Sequence, residues 1–245
     1  MGVYAGVETI WGAQTNQGRT HIATKGIVQS GLVLNLDAGV SSSYPGSEDI
    51  WTDLSGNGNT GTLTNMDGTN FNSANGGSLV FNGSDEYVTF VSNPSLTNQI
   101  TVEVWVQLSS TSPTGTGWIL GREGSYRMLY ASSRFTWVCA TTNNGWYSTG
   151  TNINATSVTP YTQTYQVVGT YDGSNNRIYV NGELKNTGAN ISGNILTTGN
   201  YNLMRSDVGV EYGKGNLYSH KLYNRGLTAT EIQQNYLATK SRYGL

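Results

Sequence analysis

Residues 165–187 constrain the fold more than any other stretch of the chain. Two runs rich in β-favouring residues, 165–171 and 177–180, flank the turn-forming sequence Asp-Gly-Ser-Asn-Asn, which predicts an antiparallel hairpin. Asn181 and Gly182 follow, and because both tolerate positive φ they fit the type I′ turn of a second hairpin. Three consecutive strands joined in this way predict an antiparallel sheet that most of the remaining chain extends or covers.

The composition agrees with an all-β domain. The chain has 245 residues, with 32 glycines and 4 prolines, and only 11% of its residues are charged, against about a quarter in an average protein. Low charge argues against a disordered chain, and abundant glycine and asparagine indicate many strands joined by turns. The net charge is −2 without a Lys/Arg cluster, which argues against electrostatic binding to nucleic acid or anionic lipid.

The single cysteine and the start of the chain bear on the compartment. Cys139 ends the run 134–139, RFTWVC, whose neighbours predict a buried strand thiol rather than a reactive one. A chain without a disulfide pair fits folding in a reducing cytosol. The first residues lack a basic and apolar signal pattern, and no run of about 18 apolar residues occurs, so we expect no signal peptide and no membrane insertion.

Two further segments predict individual elements. Ile100–Leu108 alternates five aliphatic residues with Thr, Glu, Trp and Gln, the pattern of a central strand with one face in the core. Thr228 and Glu231 have capping-box spacing, which predicts a short C-terminal helix over about 228–239, packed against the sheets.

The chain divides at residue 30. Residues 31–245 form the predicted β domain, whereas 1–30 show no sustained apolar period. Two interpretations of this first segment stay open: an extra strand and loop packed on the main domain, or an arm that docks onto another protein with Tyr4 and Trp11 as anchors.

Seven ordered segments give the chain a resemblance to the laminin-G-like, concanavalin A-like jelly roll, over about residues 31–236. This resemblance implies two curved antiparallel sheets packed face to face. The segments are GLVLNLDA at 31–38, DLSGNGN at 53–59, LVFNG at 79–83, EVWV at 103–106, GTYDG at 169–173, IYVNG at 178–182 and LYNRGLTATEI at 222–232.

A narrower resemblance points to structural proteins of tailed bacteriophages, especially those that infect cyanobacteria. It implies a module on the virion surface, as capsid decoration or as part of a tail or fibre. A virion protein is made in the host cytoplasm and released by lysis, which fits the missing signal peptide and disulfides. The segments are YPGS at 44–47, SGNGN at 55–59, FNSANGGS at 71–78 and ATKSRYG at 238–244.

Glycan binding is the sharpest site hypothesis. Sugar sites pair an aromatic platform with a few polar side chains, and Trp146 and Tyr147 stand beside turn residues in 141–150. Arg122, Arg127 and Arg205 are candidate donors if they reach the same concavity. The alternative is that Trp146 folds inward as a core residue.

Metal binding is a weaker hypothesis that the family resemblance suggests. Relatives often hold a structural calcium near the early loops, and Asp37, Asp53 and Asp85 are the candidates by position. Calcium takes six to eight oxygens, however, and these three acids are far apart in sequence. The alternative for Asp53 is that it caps its own Gly/Asn loop. We expect no other cofactor.

The sequence does not predict catalysis. Glycoside hydrolysis needs two acids at a defined separation, and the central strand carries one, Glu103. We expect a non-enzymatic virion surface protein, in contact with other capsid or tail proteins in multiple copies and able to bind cell-surface glycan weakly. The alternatives are a free-standing carbohydrate-binding module or lectin and, third, a glycoside hydrolase.

Overall fold

A computed structural model describes residues 25–245 except 92, 95, 97, 110–115, 132–133, 147, 156–157, 159–160, 162 and 209–210. It also gives the backbone of two short strands, β1 (Thr15–Asn16) and β2 (Arg19–Thr20), which pair with each other. The proposed anchors Tyr4 and Trp11 lie outside the described residues.

The described chain is mostly β-structure with one short α-helix, α1 (Ala229–Thr239), and three 3-10 turns at Gly68–Asn70, Ala74–Gly76 and Lys240–Tyr243. The remaining strands are β3 (Leu32–Asp37), β4 (Ile50–Trp51), β5 (Gly61–Thr64), β6 (Phe71–Asn72), β7 (Ser78–Asn82), β8 (Tyr87–Phe90), β9 (Ile100–Leu108), β10 (Thr116–Arg122), β11 (Tyr126–Ala131), β12 (Arg134–Cys139), β13 (Asn152–Asn154), β14 (Tyr165–Tyr171), β15 (Asn176–Val180), β16 (Glu183–Thr187), β17 (Asn202–Leu203) and β18 (Lys214–Tyr223).

These strands form two eight-stranded antiparallel sheets. Sheet I has the order β16-β15-β14-β9-β18-β7-β6, and β3 also pairs with β18. Sheet II has the order β13-β12-β11-β10-β17-β8-β5-β4. The predicted hairpins are β14–β15 and β15–β16, and both residues of the Asn181–Gly182 turn have positive φ, 52° and 77°. The predicted two-sheet antiparallel sandwich is confirmed.

The core lies between the sheets, and β9 shows why. All five aliphatic side chains of its inner face, from Ile100 to Leu108, belong to the main apolar cluster, as the alternation predicts. Sheet II contributes inward-facing aromatic residues such as Tyr126 and Trp137, which are fully buried. Cys139 is a buried free thiol in the same cluster.

The outer face of sheet I is covered by the C-terminal segment. The Trp105 ring lies 5.9 Å from the Tyr236 ring and 4.3 Å from the Tyr243 ring. The predicted capping box is present, since the Thr228 hydroxyl accepts from the Glu231 amide and Glu231 accepts from the Thr228 amide. Sheet I is therefore buried on both faces beneath α1.

Residues 26–28 are tied to the same helix. Gln234 Nε2 donates to the Gly26 carbonyl at 2.7 Å, and the Val28 amide donates to Asn235 Oδ1 at 2.8 Å. The division of the chain at residue 30 stays a prediction. Among the described residues no helix is both long and apolar enough to cross a membrane.

Candidate ligand-binding face

The outer face of sheet II carries a cluster of stacked side chains. The guanidinium carbon of Arg127 lies 4.7 Å from the centre of the Trp146 ring and 5.6 Å from that of Trp118, within the range of cation–π attraction. Glu123 Oε1 lies 3.5 Å from Arg127 Nη1. We call Trp118, Glu123, Arg127 and Trp146 the Arg127–Trp cluster.

Strand alternation sends Arg127 to this face. Its neighbours Tyr126 and Met128 are fully buried in the inter-sheet core, so Arg127 points outward from β11. Cross-strand, Arg127 pairs with Val138 of β12 and Gly121 of β10. The sheet therefore fixes the base of the cluster.

The loop between β12 and β13 brings Trp146 onto Arg127. The Thr141 amide donates to the Asn144 carbonyl at 2.8 Å, and Thr151 Oγ1 donates to the Trp146 carbonyl at 3.2 Å. Trp146 is partly exposed, whereas Trp118 is fully buried. Trp146 is thus neither a fully buried core residue nor a fully exposed one, because its ring packs on Arg127 and the residue is still partly open to solvent.

Carboxylates outnumber cations beside this cluster. Burial raises the pKa of the Glu123 carboxyl above its ordinary value, the charges of Glu211 and Asp207 raise it further, and Arg127 opposes both. The Arg127 side chain is only 13% exposed. The cluster therefore offers planar donor and acceptor groups in a setting that is slightly negative overall.

A second stacked arginine lies at β8. The guanidinium carbon of Arg205 is 4.4 Å from the centre of the Tyr87 ring, and the Tyr212 ring lies 6.4 Å from that of Tyr87. Arg205 pairs with Tyr212 in an isolated bridge. The strand order places β8 three strands from β11, which is about 14 Å at the usual inter-strand spacing.

Arg122 does not join Arg127. It is 5% exposed and donates to the carbonyl oxygens of Thr197 and Gly199, the latter at 3.2 Å. In register it pairs with the core residue Tyr126. Arg122 thus holds the 197–199 loop in place, and Tyr147, the other predicted glycan contact, lies outside the described residues.

Asp53 organises the Gly/Asn loop around itself. Its carboxylate accepts the backbone amides of Asn35, Ser55 and Asn59 at 2.8–2.9 Å. This is the arrangement of the capping alternative, and it uses both carboxylate oxygens.

The other two candidate calcium ligands have partners of their own. Both oxygens of Asp37 accept from Arg242, at 2.6 and 2.5 Å, and Asp85 accepts from Asn82 Nδ2 at 2.7 Å. Over the described residues no group of three or more His, Cys, Asp or Glu side chains is arranged to hold a metal ion. The structure does not bring Asp37, Asp53 and Asp85 together.

The single acid of the central strand is buried under α1. Glu103 has no exposed surface, lies 3.2 Å from Lys221 Nζ and accepts from Asn235 Nδ2 at 2.7 Å. This side chain is engaged on both oxygens and has no route to a ligand.

Trp118 and Glu123 are the members of the cluster that the sequence interpretation missed. Trp118 is fully buried, and its ring lies under the Arg127 guanidinium. Glu123 and Arg127 stand four residues apart across the β10–β11 turn, a spacing that could have suggested an ion pair.

Comparison with known proteins gives a family model and a set of similar structures. The model, described as the concanavalin A-like lectin/glucanases superfamily, matches residues 82–233. No curated protein sequence matches the chain.

The similar structures include a receptor binding domain, and a domain and an enzyme that were each solved with a sugar. The botulinum neurotoxin type G receptor binding domain has a TM-score of 0.62 at 17% identity over 85% of this chain and 51% of that one. Domain 4 of AbnA, a GH43 extracellular arabinanase from Geobacillus stearothermophilus in complex with arabinotriose, has a TM-score of 0.57 at 17% identity over 84% and 98%. Trypanosoma rangeli sialidase in complex with sialic acid has a TM-score of 0.60 at 17% identity, over 86% of this chain and 33% of the sialidase chain.

These likenesses show the fold alone, because the identities are low. The chain spans about half the length of the botulinum domain that it matches.

Proposed function

Because the chain belongs to the concanavalin A-like lectin/glucanases superfamily, we propose that it is a non-catalytic glycan-binding module that takes its ligand on the Arg127–Trp cluster. The observation that carries this proposal is the partly exposed residue Trp146, whose ring stacks on Arg127, while Arg127 is paired with Glu123. An aromatic surface beside a few fixed polar groups is what a sugar ring requires.

The fold neighbours support a binding role. One is named as a receptor binding domain and another was solved with arabinotriose. Sheet I cannot offer an equivalent face near its centre, since α1 and Tyr243 cover Trp105 there. In the described residues the outer face of sheet II is therefore the better platform.

The charges favour a neutral glycan. Asp207 and Glu211 lie close enough to raise the pKa of Glu123, and like charges repel an anionic sugar. Guanidinium and carboxylate groups are planar and can share a pair of sugar hydroxyls between them. We therefore expect binding of uncharged rather than sialylated or uronic sugars.

Binding without turnover is supported by the position of Glu103. This acid is buried, paired with Lys221 and covered by α1. A glycoside hydrolase is the alternative, and cleavage of a bound glycan would establish it.

We propose further that the module is displayed on the surface of a tailed phage particle. The support is the sequence resemblance of segments 44–47, 55–59, 71–78 and 238–244 to virion structural proteins. Residues 1–30 would attach it to capsid or tail proteins after synthesis in the host cytoplasm. Many copies on one particle would raise the avidity of a weak glycan site.

Glycan-array binding by the intact chain and two variants tests the site. Trp146→Ala and Arg127→Ala each remove one half of the stack, so we expect about tenfold weaker binding, as loss of about 1.4 kcal/mol gives. Arg134→Ala, an exposed arginine of β12, is the matched control and should bind normally. Equal binding by all four proteins would refute the site.

Particle purification tests the virion role. The full chain should sediment with phage particles, and a chain lacking residues 1–24 should be incorporated less. A chain that stays entirely in the soluble fraction of a lysate, with particles assembled in the same cells, would contradict the proposal.

A further inference from the structure

A polar cleft lies on sheet I, away from the Arg127–Trp cluster. It is a largely open depression of about 350 Å³ where β9 ends and β18 begins, a volume at the small end of the range for ligand pockets. Among the residues that the structure describes, its lining carries no charged side chain and includes Gln107, Leu108, Ser109, Tyr161, Gly215 and Asn216.

Two amide side chains stand next to each other in this cleft. Gln107 and Asn216 are cross-strand partners, so their side chains leave the same face of the sheet. Gln107 Oε1 accepts from Asn216 Nδ2 at 3.4 Å and from the Tyr218 hydroxyl at 3.2 Å. In this assignment the Gln107 amide presents its oxygen to Asn216 and Tyr218.

That orientation leaves one donor group and one acceptor for a ligand. In the part of the chain that the structure describes, Gln107 Nε2 donates to no protein group and Asn216 Oδ1 accepts from none. A donor and an acceptor on adjacent planar amides match two neighbouring hydroxyl groups. The Tyr218 hydroxyl also receives a hydrogen bond from Thr164 Oγ1 at 3.4 Å, which fixes the base of the pair.

The apolar wall of the cleft is Tyr161. Its ring meets the ring of the core residue Tyr130 edge to face, with centroids 5.7 Å apart. It is partly buried, and Leu108 lies beneath the opening at 3% exposure. An aromatic ring in the same lining as two polar amides suits the C–H face of a sugar ring.

Gly215 lines the cleft at the point where β18 passes close to β9. Its φ is +135°, and a Cβ added there would stand 2.3 Å from the Gln107 carbonyl oxygen. A side chain at this position would meet the backbone of β9 and disturb its pairing with β18. A glycine is therefore required where the two amides meet.

From this geometry we infer that the cleft is a second binding site, which takes a single ring of a neutral sugar. Gln107 Nε2 donates to one hydroxyl, Asn216 Oδ1 accepts from its neighbour, and the ring lies against Tyr161. The inference rests on the proposed glycan-binding function but concerns another surface. A chain with two separate sites could hold two branches of one glycan, or two glycans on one surface.

The test follows the side-chain amide signals of Gln107 and Asn216 by NMR on 15N-labelled full chain. The probes are the methyl pyranosides of glucose, galactose, mannose and N-acetylglucosamine, with glycerol as a polyol that has no ring. We expect at least one pyranoside, and not glycerol, to shift both amide signals in a saturable way. The absence of any shift with all four sugars would overturn the inference.

Two variants test whether the amide shifts come from sugar bound in the cleft or from another change in the protein. Tyr161→Ala removes the aromatic ring of the cleft but keeps Gln107 and Asn216. The saturable shift of their amide signals should therefore disappear, while the rest of the spectrum remains that of a folded protein. Gln233→Met, a change of a glutamine on α1, is the control and should retain the shift. A shift that persists unchanged in Tyr161→Ala would refute the assignment.

The two proposals fail separately. Loss of glycan-array binding in Trp146→Ala reports on the Arg127–Trp cluster, whereas the Gln107 and Asn216 signals report only on the cleft. Shifts at these amides without an effect of Trp146→Ala would leave the cleft as the binding site and refute the cluster.

Discussion

His220 should make the protein lose stability as the pH falls from about 7 to 4. The side chain is fully buried between the sheets, with Nδ1 3.0 Å from the Glu103 carbonyl oxygen and Nε2 2.6 Å from the Tyr201 hydroxyl. Since a carbonyl only accepts, Nδ1 carries the proton and Nε2 accepts from Tyr201. Burial lowers the pKa of this ring and so favours its neutral form.

The magnitude follows from the pKa difference between the folded and unfolded chain. Burial lowers the pKa of His220 from 6.5 to about 4, and the charge of Lys221 lowers it too, while the bond to the Glu103 carbonyl opposes the shift. Between these two pKa values the unfolded chain binds a proton at His220 and the folded chain does not. The contribution of neutral His220 to the free energy of unfolding is therefore fully present above about pH 6.5 and is lost as the pH falls toward 4. The loss by pH 4 is about 3 kcal/mol.

Urea unfolding at pH 7.5, 5.5 and 4.0 measures this loss, with His220→Gln as the comparison. Glutamine stays neutral at every pH and can both donate and accept hydrogen bonds. All other groups titrate in both proteins, so the difference between their pH profiles reports the titration of His220 alone. We expect the free energy of unfolding of the natural chain to fall by about 3 kcal/mol more than that of the variant. Identical pH dependence in the two proteins would refute the reasoning.

Three further changes should alter stability, each measured by urea unfolding at neutral pH. Lys221→Met leaves the buried Glu103 side chain without its cation and should cost about 3–5 kcal/mol; a cost near zero would mean that this ion pair does not stabilise the fold. Gly169→Ala puts a Cβ 2.3 Å from a Trp137 ring atom and should cost about 1–3 kcal/mol, and a more stable variant would contradict the close packing. Thr228→Ala removes the cap of α1 and should cost about 1 kcal/mol; an unchanged midpoint would mean that α1 does not depend on this cap.

The sequence by itself determined the local elements. The alternation in Ile100–Leu108 predicted the inner face of β9, Asn181–Gly182 predicted the turn between β15 and β16, and Thr228 with Glu231 predicted the start of α1. Each of these signals depends on side-chain direction or φ over a few residues. Such preferences act before the chain has any tertiary contact, and so they can be read from the sequence.

Only the tertiary structure decided which side chains meet. Arg122 and Arg127 look alike in sequence, yet one turns into the 197–199 loop and the other stacks on Trp146. Glu103 is inaccessible because α1 packs over it. Asn235 of α1, which donates to Glu103, lies 132 residues away in sequence. Asp37 forms an ion pair with Arg242, which lies 205 residues away in sequence. Contacts at this range depend on how the sheets and the C-terminal segment pack, and no local pattern of residues encodes that packing.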